Sequence, residues 1–224
     1  MNDNVFNKKS FISQATEILK TNLRNIILLF SLCFVLFLSY QIYSFYISNK
    51  IQKNSISFFA VQNTDDPKVI FDTITKLSND NTFYSVLAKL ELIDLNLKQN
   101  KIQDSISMYL EVINQNNLDS VYKSAIASKA SYQLIDINLD NLSSNYLNII
   151  NDFISYINEE AESYTGIKLE LKYLLKILEV EKNSIDYSSF NELSDIYESI
   201  MSSDVVSSAI KERVNKIHEF YSNK

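Results

Sequence analysis

Residues 25–49 carry no charged side chain, and their centre reads Ile26-Ile27-Leu28-Leu29-Phe30-Ser31-Leu32-Cys33-Phe34-Val35-Leu36-Phe37-Leu38. A hydrocarbon layer about 30 Å thick takes about 20 apolar residues in helical form. The stretch therefore predicts a transmembrane helix over 25–47. Tyr40, Tyr43 and Tyr46 recur at a spacing that keeps them near one face at its end. Tyrosine favours the headgroup boundary, where the ring is buried and the hydroxyl stays wet. The run starts too late and is too long for a cleaved leader, and Tyr43-Ser44-Phe45-Tyr46-Ile47 offers no small-x-small site, so an uncleaved anchor is expected. Ahead of it, Phe11, Ile12, Ala15, Ile18, Leu19 and Leu23 recur near helical spacing. They predict a cytoplasmic amphipathic segment over 1–24 lying in the membrane interface.

Beyond the span the apolar positions keep a helical period. Ile47, Ile51, Ile56 and Phe59 predict a helical stalk and linker over 48–66, ended by Asn63-Thr64-Asp65-Asp66-Pro67. Asp66 is placed to cap the next helix and Pro67 suits its first position. Val69, Ile70, Ile74 and Leu77 form the stripe of that helix; Phe83, Val86, Leu87, Leu90, Ile93 and Leu97 form the next. Asn100, in Gln99-Asn100-Lys101, stands where a left-handed residue would end it. Ile102, Ile106, Tyr109, Leu110 and Ile113 mark a further helix. Later helices are expected over about 119–137, 144–157, 162–178, 190–201 and 205–221. The first of these is given a face of Val121, Ala125, Tyr132 and Ile135, weakened by Ser128. Helix pairs begin near Phe83, Val121 and Tyr164, a recurrence of roughly 38–43 residues, close to helical-repeat length. The fold class expected is all-α: one N-terminal transmembrane helix followed, over 67–224, by a tetratricopeptide-like α-solenoid of helix–turn–helix units. The helix over 205–221, with Lys211, Glu212, Arg213, Lys216 and Glu219, would cap the stack.

Composition agrees with helices and excludes several chemistries. The chain has one Gly, one Pro, one Cys and one His in 224 residues. A phosphate-binding loop, a dinucleotide fingerprint and a nucleophile elbow all need glycines that Gly166 alone cannot supply. A single cysteine forbids an internal disulfide. Lys8, Lys9, Lys20 and Arg24 precede the span, against Lys50 and Lys53 just after it. The excess places the N-terminus in the cytoplasm. The C-terminal domain is then periplasmic and the location is the cell inner membrane. Residues 1–62 carry +4 and the remainder −10, which disfavours nucleic acid as a partner.

One region carries a resemblance. Asn81-Thr82-Phe83-Tyr84-Ser85-Val86-Leu87-Ala88-Lys89-Leu90-Glu91-Leu92 followed by Gln99-Asn100-Lys101-Ile102-Gln103-Asp104-Ser105-Ile106 resembles the tetratricopeptide-like ancillary subunit of the bacterial SecYEG translocon. In architecture the likeness covers nearly the whole chain; residue by residue it covers 81–113. Asn100 stands where such a repeat often has Gly, and Ser105 where it has Ala. With the AT-rich residue usage, the resemblance points to a rickettsial member of the group. It implies a single inner-membrane anchor, a helical-repeat domain outside, and an accessory role in envelope protein traffic, with the Sec translocon or periplasmic chaperones as partners. It brings no catalytic residue with it.

The remaining chemistry-bearing residues form no constellation. His218 lacks metal-ligand or acid–base companions and is expected facing solvent or capping the last helix. Cys33 lies in the span as a small packing residue. Asp136-Ile137-Asn138-Leu139-Asp140 begins like a calcium loop. Asn141 replaces the turn glycine and Leu147 the bidentate glutamate, so a helix break is expected there instead. Glu159, Glu160 and Glu162 are read as favourable charge at a helix start. The expectation is a membrane-anchored protein-interaction scaffold that touches the lipid bilayer and protein partners. No catalytic, cofactor-binding or metal-binding residue is assigned. The alternative is a self-associating structural envelope protein.

Overall fold

The computed structural model describes residues 3–116, 118–140, 146–158, 162–183 and 187–222, and every regular element among them is helical. In chain order these are α1 (Asp3–Gln62), α2 (Pro67–Ser78), α3 (Phe83–Lys98), α4 (Ile102–Ile113), α5 (Ser120–Asp140), α6 (Leu147–Ser155), α7 (Glu162–Asn183), α8 (Tyr187–Ser202) and α9 (Ser208–Ser222). The chain divides into two compact units, Met1–Ser85 and Val86–Lys224.

In the first unit, the N-terminal segment, span and stalk are one continuous helix. At 1.5 Å per residue α1 is about 90 Å long. It ends where Asn63 turns its amide back onto the Phe59 carbonyl at 2.9 Å. As the sequence indicates, Asp66 then caps α2, its carboxylate accepting from the Lys68 and Val69 amides at 2.9 and 3.4 Å, with Pro67 in the first turn. α2 folds back against α1. The buried stalk positions are Asn54, Phe58 and Val61, opposed by Ile74 and Leu77. Val69, read as part of the buried stripe of α2, is instead exposed, and Ile51, Ile56 and Phe59 of the stalk are exposed as well. A two-helix hairpin covers one side of each helix and leaves the other open.

In the second unit, antiparallel helix pairs pack in series: α5 against α6, α7 against α8, with α5 also touching α4 and α7. α9 lies on α7 and α8. Val86, Ile93, Ile106, Tyr109, Ile135, Phe153 and Leu171 belong to one apolar cluster; Tyr173, Leu193, Ile200 and Val214 belong to another around α9. The α3–α4 turn is closed by Asn100 at φ 60°. The Lys101 amide reaches back to Asn96 O and the Asn100 amide to Leu97 O, both at 2.9 Å. This is the six-to-one and five-to-two pairing that ends a helix through a left-handed residue. Ser105 is buried at the α3–α4 crossing, where its hydroxyl donates to Lys101 O at 3.0 Å. Serine thus serves as alanine would, being small and internally satisfied. Gly166 lets α7 pass close to the start of α9, because an added Cβ would stand 3.1 Å from Ile210 Cδ1 and 3.5 Å from Val206 Cα.

α5 corrects the sequence reading most. Its buried face is Ser124, Ala127, Ser128, Ala130, Ser131, Leu134, Ile135 and Asn138, whereas Val121 is exposed. The helix also runs on through the break expected at 136–140. Small residues let neighbouring helices approach, and each buried polar group is matched within the helix. Ser124, Ser128, Ser131 and Asn138 donate to the carbonyls of Ser120, Ser124, Ala127 and Leu134 at 2.7–2.9 Å. A hydroxyl satisfied in this way is tolerated in a core.

Candidate functional site

The surface of α1 is the most unusual in the molecule. From Ile27 to Tyr46 its apolar side chains lie open on every side of the helix, among them Leu28, Phe30, Phe34, Leu36, Phe37 and Phe45. The helix over Asn22–Gln62 is long and apolar enough to cross a membrane, and none of its most apolar window is buried. Soluble monomers rarely expose contiguous apolar area beyond a few hundred Å². Cys33, read as a packing residue, is exposed in the same girdle. Ser39 satisfies its hydroxyl on the Val35 carbonyl at 2.9 Å. Tyr40, Tyr43 and Tyr46 close the girdle, all exposed.

Just past the tyrosines, α1 and α2 enclose an open groove of about 550 Å³, lined by Lys53, Ile56, Ser57, Thr73, Lys76 and Asp80 among others. Asp80 is already committed. Lys50 Nζ stands 2.5 Å from its carboxylate, and Asn54 donates to it at 2.6 Å. Those two donors hold the Asp80 carboxyl below the usual carboxylate range.

The second unit contains a chain of polar links joining its first-of-pair helices. Asp94 on α3 accepts from Lys129 and Gln133 on α5 at 2.8 and 3.1 Å. Tyr132 on α5 donates to Glu170 on α7 at 2.8 Å. Arg213 on α9 grips the same carboxylate through two bonds of 2.8 and 2.7 Å. Glu170 is almost wholly buried while the Arg213 side chain is half exposed. Burial pushes the Tyr132 phenol up, and the Glu170 carboxylate adds to the shift. Burial likewise raises Tyr109, with the Asp94 charge adding to it. The links join residues 35, 38 and 43 apart. No local sequence signal points to these links, because each joins residues on different helices.

His218 is neither solvent-facing nor a simple cap. Its ring stacks on Tyr197 with centroids 3.9 Å apart, and Nδ1 lies 3.0 Å from the Tyr173 hydroxyl. Burial holds Tyr173 up at about 12, with the Tyr197 phenol adding to the shift. The arrangement docks α9 against α7 and α8. Asp136 and Asp140, instead of opening a loop, share the last turns of α5. Burial and the Asp140 charge raise the Asp136 carboxyl. Glu159, Glu160 and the side chain of Glu162 lie outside the described residues. Among those described, no three His, Cys, Asp or Glu side chains gather as a metal site would require.

No protein-family model, no curated protein and no solved structure matches this chain.

Proposed function

We propose that the protein is a single-pass, membrane-anchored interaction scaffold. In this reading α1 crosses the cell inner membrane with its N-terminus in the cytoplasm. The second unit is a tetratricopeptide-like stack outside, where it binds polypeptide as an accessory to translocation through Sec or to periplasmic chaperones. The apolar girdle from Ile27 to Tyr46 is the observation that carries the reading. A helix open to its surroundings on all sides with such side chains is matched to lipid tails. Anchoring would hold the stack at the bilayer and raise its effective concentration beside a membrane partner. The polar links at near-repeat intervals support the stack, since each helix pair would meet its neighbour in a similar way.

Two measurements test this. A reporter fused after Lys224 should be active only outside the cytoplasm; activity inside would reverse the orientation. Crosslinking in intact cells should join the second unit to Sec components or periplasmic chaperones, and recovery of neither would remove the translocation role. A self-associating envelope protein is the second reading, favoured by Ile51, Ile56 and Phe59 exposed on the stalk beyond the span. Sedimentation of the full-length chain in detergent decides it: oligomers support self-association and a monomer eliminates it.

A further inference from the structure

The groove between α1 and α2 sits at an informative height. Along α1, Lys50 and Lys53 lie about 6 Å and about 10 Å beyond Tyr46 at 1.5 Å per residue. A headgroup layer adds about 5–8 Å to each side of the hydrocarbon, and a lysine stem reaches back toward it by snorkelling. α2 runs antiparallel to α1, so Lys76, near its end, returns to the level of Lys53 and lines the same groove. The turn after α2 brings Asp80 there as well. An acid at that height would repel an anionic leaflet, but Lys50 neutralises it and Asn54 adds a hydrogen bond. Lys53 and Lys76 are exposed, and among the described residues neither has an ion-pair partner. The groove mouth therefore holds one internally cancelled pair and two uncommitted cations. Beside them stand the Ser57 and Thr73 hydroxyls and an apolar wall at Ile56.

We propose that this groove mouth binds the phosphate headgroup of an anionic phospholipid, with Lys53 and Lys76 as the charge-pairing residues and Ser57 and Thr73 as hydrogen-bond donors. The inference rests on the anchoring of α1 proposed above. The pairing is local, because surface charges more than about 10 Å apart are largely screened at physiological salt. The site adds to the basic residues before the span, which meet the opposite leaflet. It would fix the rotation of α1 about its axis and the approach of α2 to the membrane.

The test uses the full-length protein in vesicles of phosphatidylcholine and phosphatidylglycerol in equal parts. Flotation reports anchoring, and native mass spectrometry of the released protein counts retained lipids. The wild type should float and retain phosphatidylglycerol in preference to phosphatidylcholine. Lys53→Gln with Lys76→Gln should still float, with that preference reduced by about thirtyfold, given the usual contribution of two lysines near a charged surface. Asp80→Asn frees Lys50 and should raise the preference, a gain that misfolding would not imitate. A wild type that fails to float defeats the anchor itself. A floating wild type without preference, or a double variant that keeps it, overturns the headgroup site alone and leaves the groove to a protein helix. At matched ionic strength the preference should survive inorganic phosphate, because the bilayer presents its headgroups at high effective concentration; complete loss there would reassign the site to free phosphate and overturn the lipid assignment.

Discussion

Leu29, Phe30 and Phe34 on α1 are 61, 71 and 62% exposed, while Ser124, Ser131 and Asn138 on α5 are 0, 0 and 3% exposed. One helix shows its leucines and the other hides its serines. The two teach the same lesson from opposite sides. Burial follows from what a surface must meet, and polarity is only a guide to it. A helix facing hydrocarbon needs apolar side chains all round and no partner. A helix wedged among α4, α6 and α7 needs small side chains, and tolerates hydroxyls that close onto their own backbone. Tyrosine divides in the same manner. Tyr40, Tyr43 and Tyr46 stand open along α1, whereas Tyr109 and Tyr173 are enclosed in the second unit.

On the proposed anchoring of α1, the comparison breaks most severely when its apolar girdle is charged. Leu32→Lys with Leu36→Lys puts two charges into the girdle at about 3 kcal/mol each on an insertion scale. The variant should move from the membrane pellet to the soluble or aggregated fraction on alkaline extraction. Retention at the wild-type level would mean that α1 does not span.

Alkali tests the enclosed tyrosines. Tyr173 and Tyr221 are both held up at about 12, chiefly by burial, with Tyr197 adding to the first and Glu181 to the second. A phenol whose folded value lies above its unfolded one contributes stability that is complete below about pH 10 and is lost as pH rises through the folded value. For Tyr173 the two-unit gap amounts to about 3 kcal/mol. Absorbance titration near the phenolate band should show a late class of tyrosines ionising together with loss of helix. Early, simple titration of every tyrosine would contradict the enclosure.

Of similar size is the effect of stripping Glu170 of its cation. Arg213→Ala leaves an almost fully buried carboxylate with Tyr132 as its side-chain partner among the described residues, and uncompensated buried charges typically cost about 3 kcal/mol. The urea midpoint of the full-length protein in micelles should fall accordingly. Arg213→Lys should restore part of it, because one ammonium replaces a two-bond grip. An unchanged midpoint for Arg213→Ala would show that α9 docks through its apolar residues alone.

How much of this could be read beforehand differs between the two regions for a physical reason. The long apolar helix, the Asp66–Pro67 boundary and the Asn100 turn were legible because each depends on local chemistry: a run of apolar residues, a capping carboxylate, a residue tolerant of positive φ. The inner face of α5 was not, because Ser124, Ser128 and Ser131 give no apolar period. The stripe chosen instead began at Val121, which the structure leaves exposed. The partnering of Glu170, and the groove holding Lys53 beside Lys76, join residues far apart in sequence, and a single chain read locally has no sight of them. His218 was misjudged for the same reason, its stacking partner Tyr197 and its bonding partner Tyr173 lying on α8 and α7.

The buried serines make the contrast testable by volume. Ser131→Leu would look like an improvement to anyone completing an apolar stripe. In a fully enclosed position it should instead cost about 2 kcal/mol by overpacking. Ser131→Ala should cost much less, since the Ala127 carbonyl that accepts the hydroxyl keeps its place in the helix. A stabilising leucine would mean that α5 does not approach its neighbours as closely as drawn.

The smallest effect concerns Asn100, the one non-glycine residue at positive φ among the described residues. Asn100 sits at φ 60°, a region that costs an ordinary L-residue about 1–2 kcal/mol and that asparagine and glycine visit most readily. Asn100→Ala should therefore lower stability by about 1 kcal/mol. Asn100→Gly should change it by only a few tenths, its easier positive φ offset by a freer unfolded chain. The sign of the difference between the two variants matters more than either size, because both remove the same side chain and only glycine relieves the backbone. If alanine and glycine prove equal in urea unfolding, the α3–α4 turn is not held in the left-handed form. The Lys101 and Asn100 amide bonds to Asn96 and Leu97 would then have to close the hairpin in some other geometry.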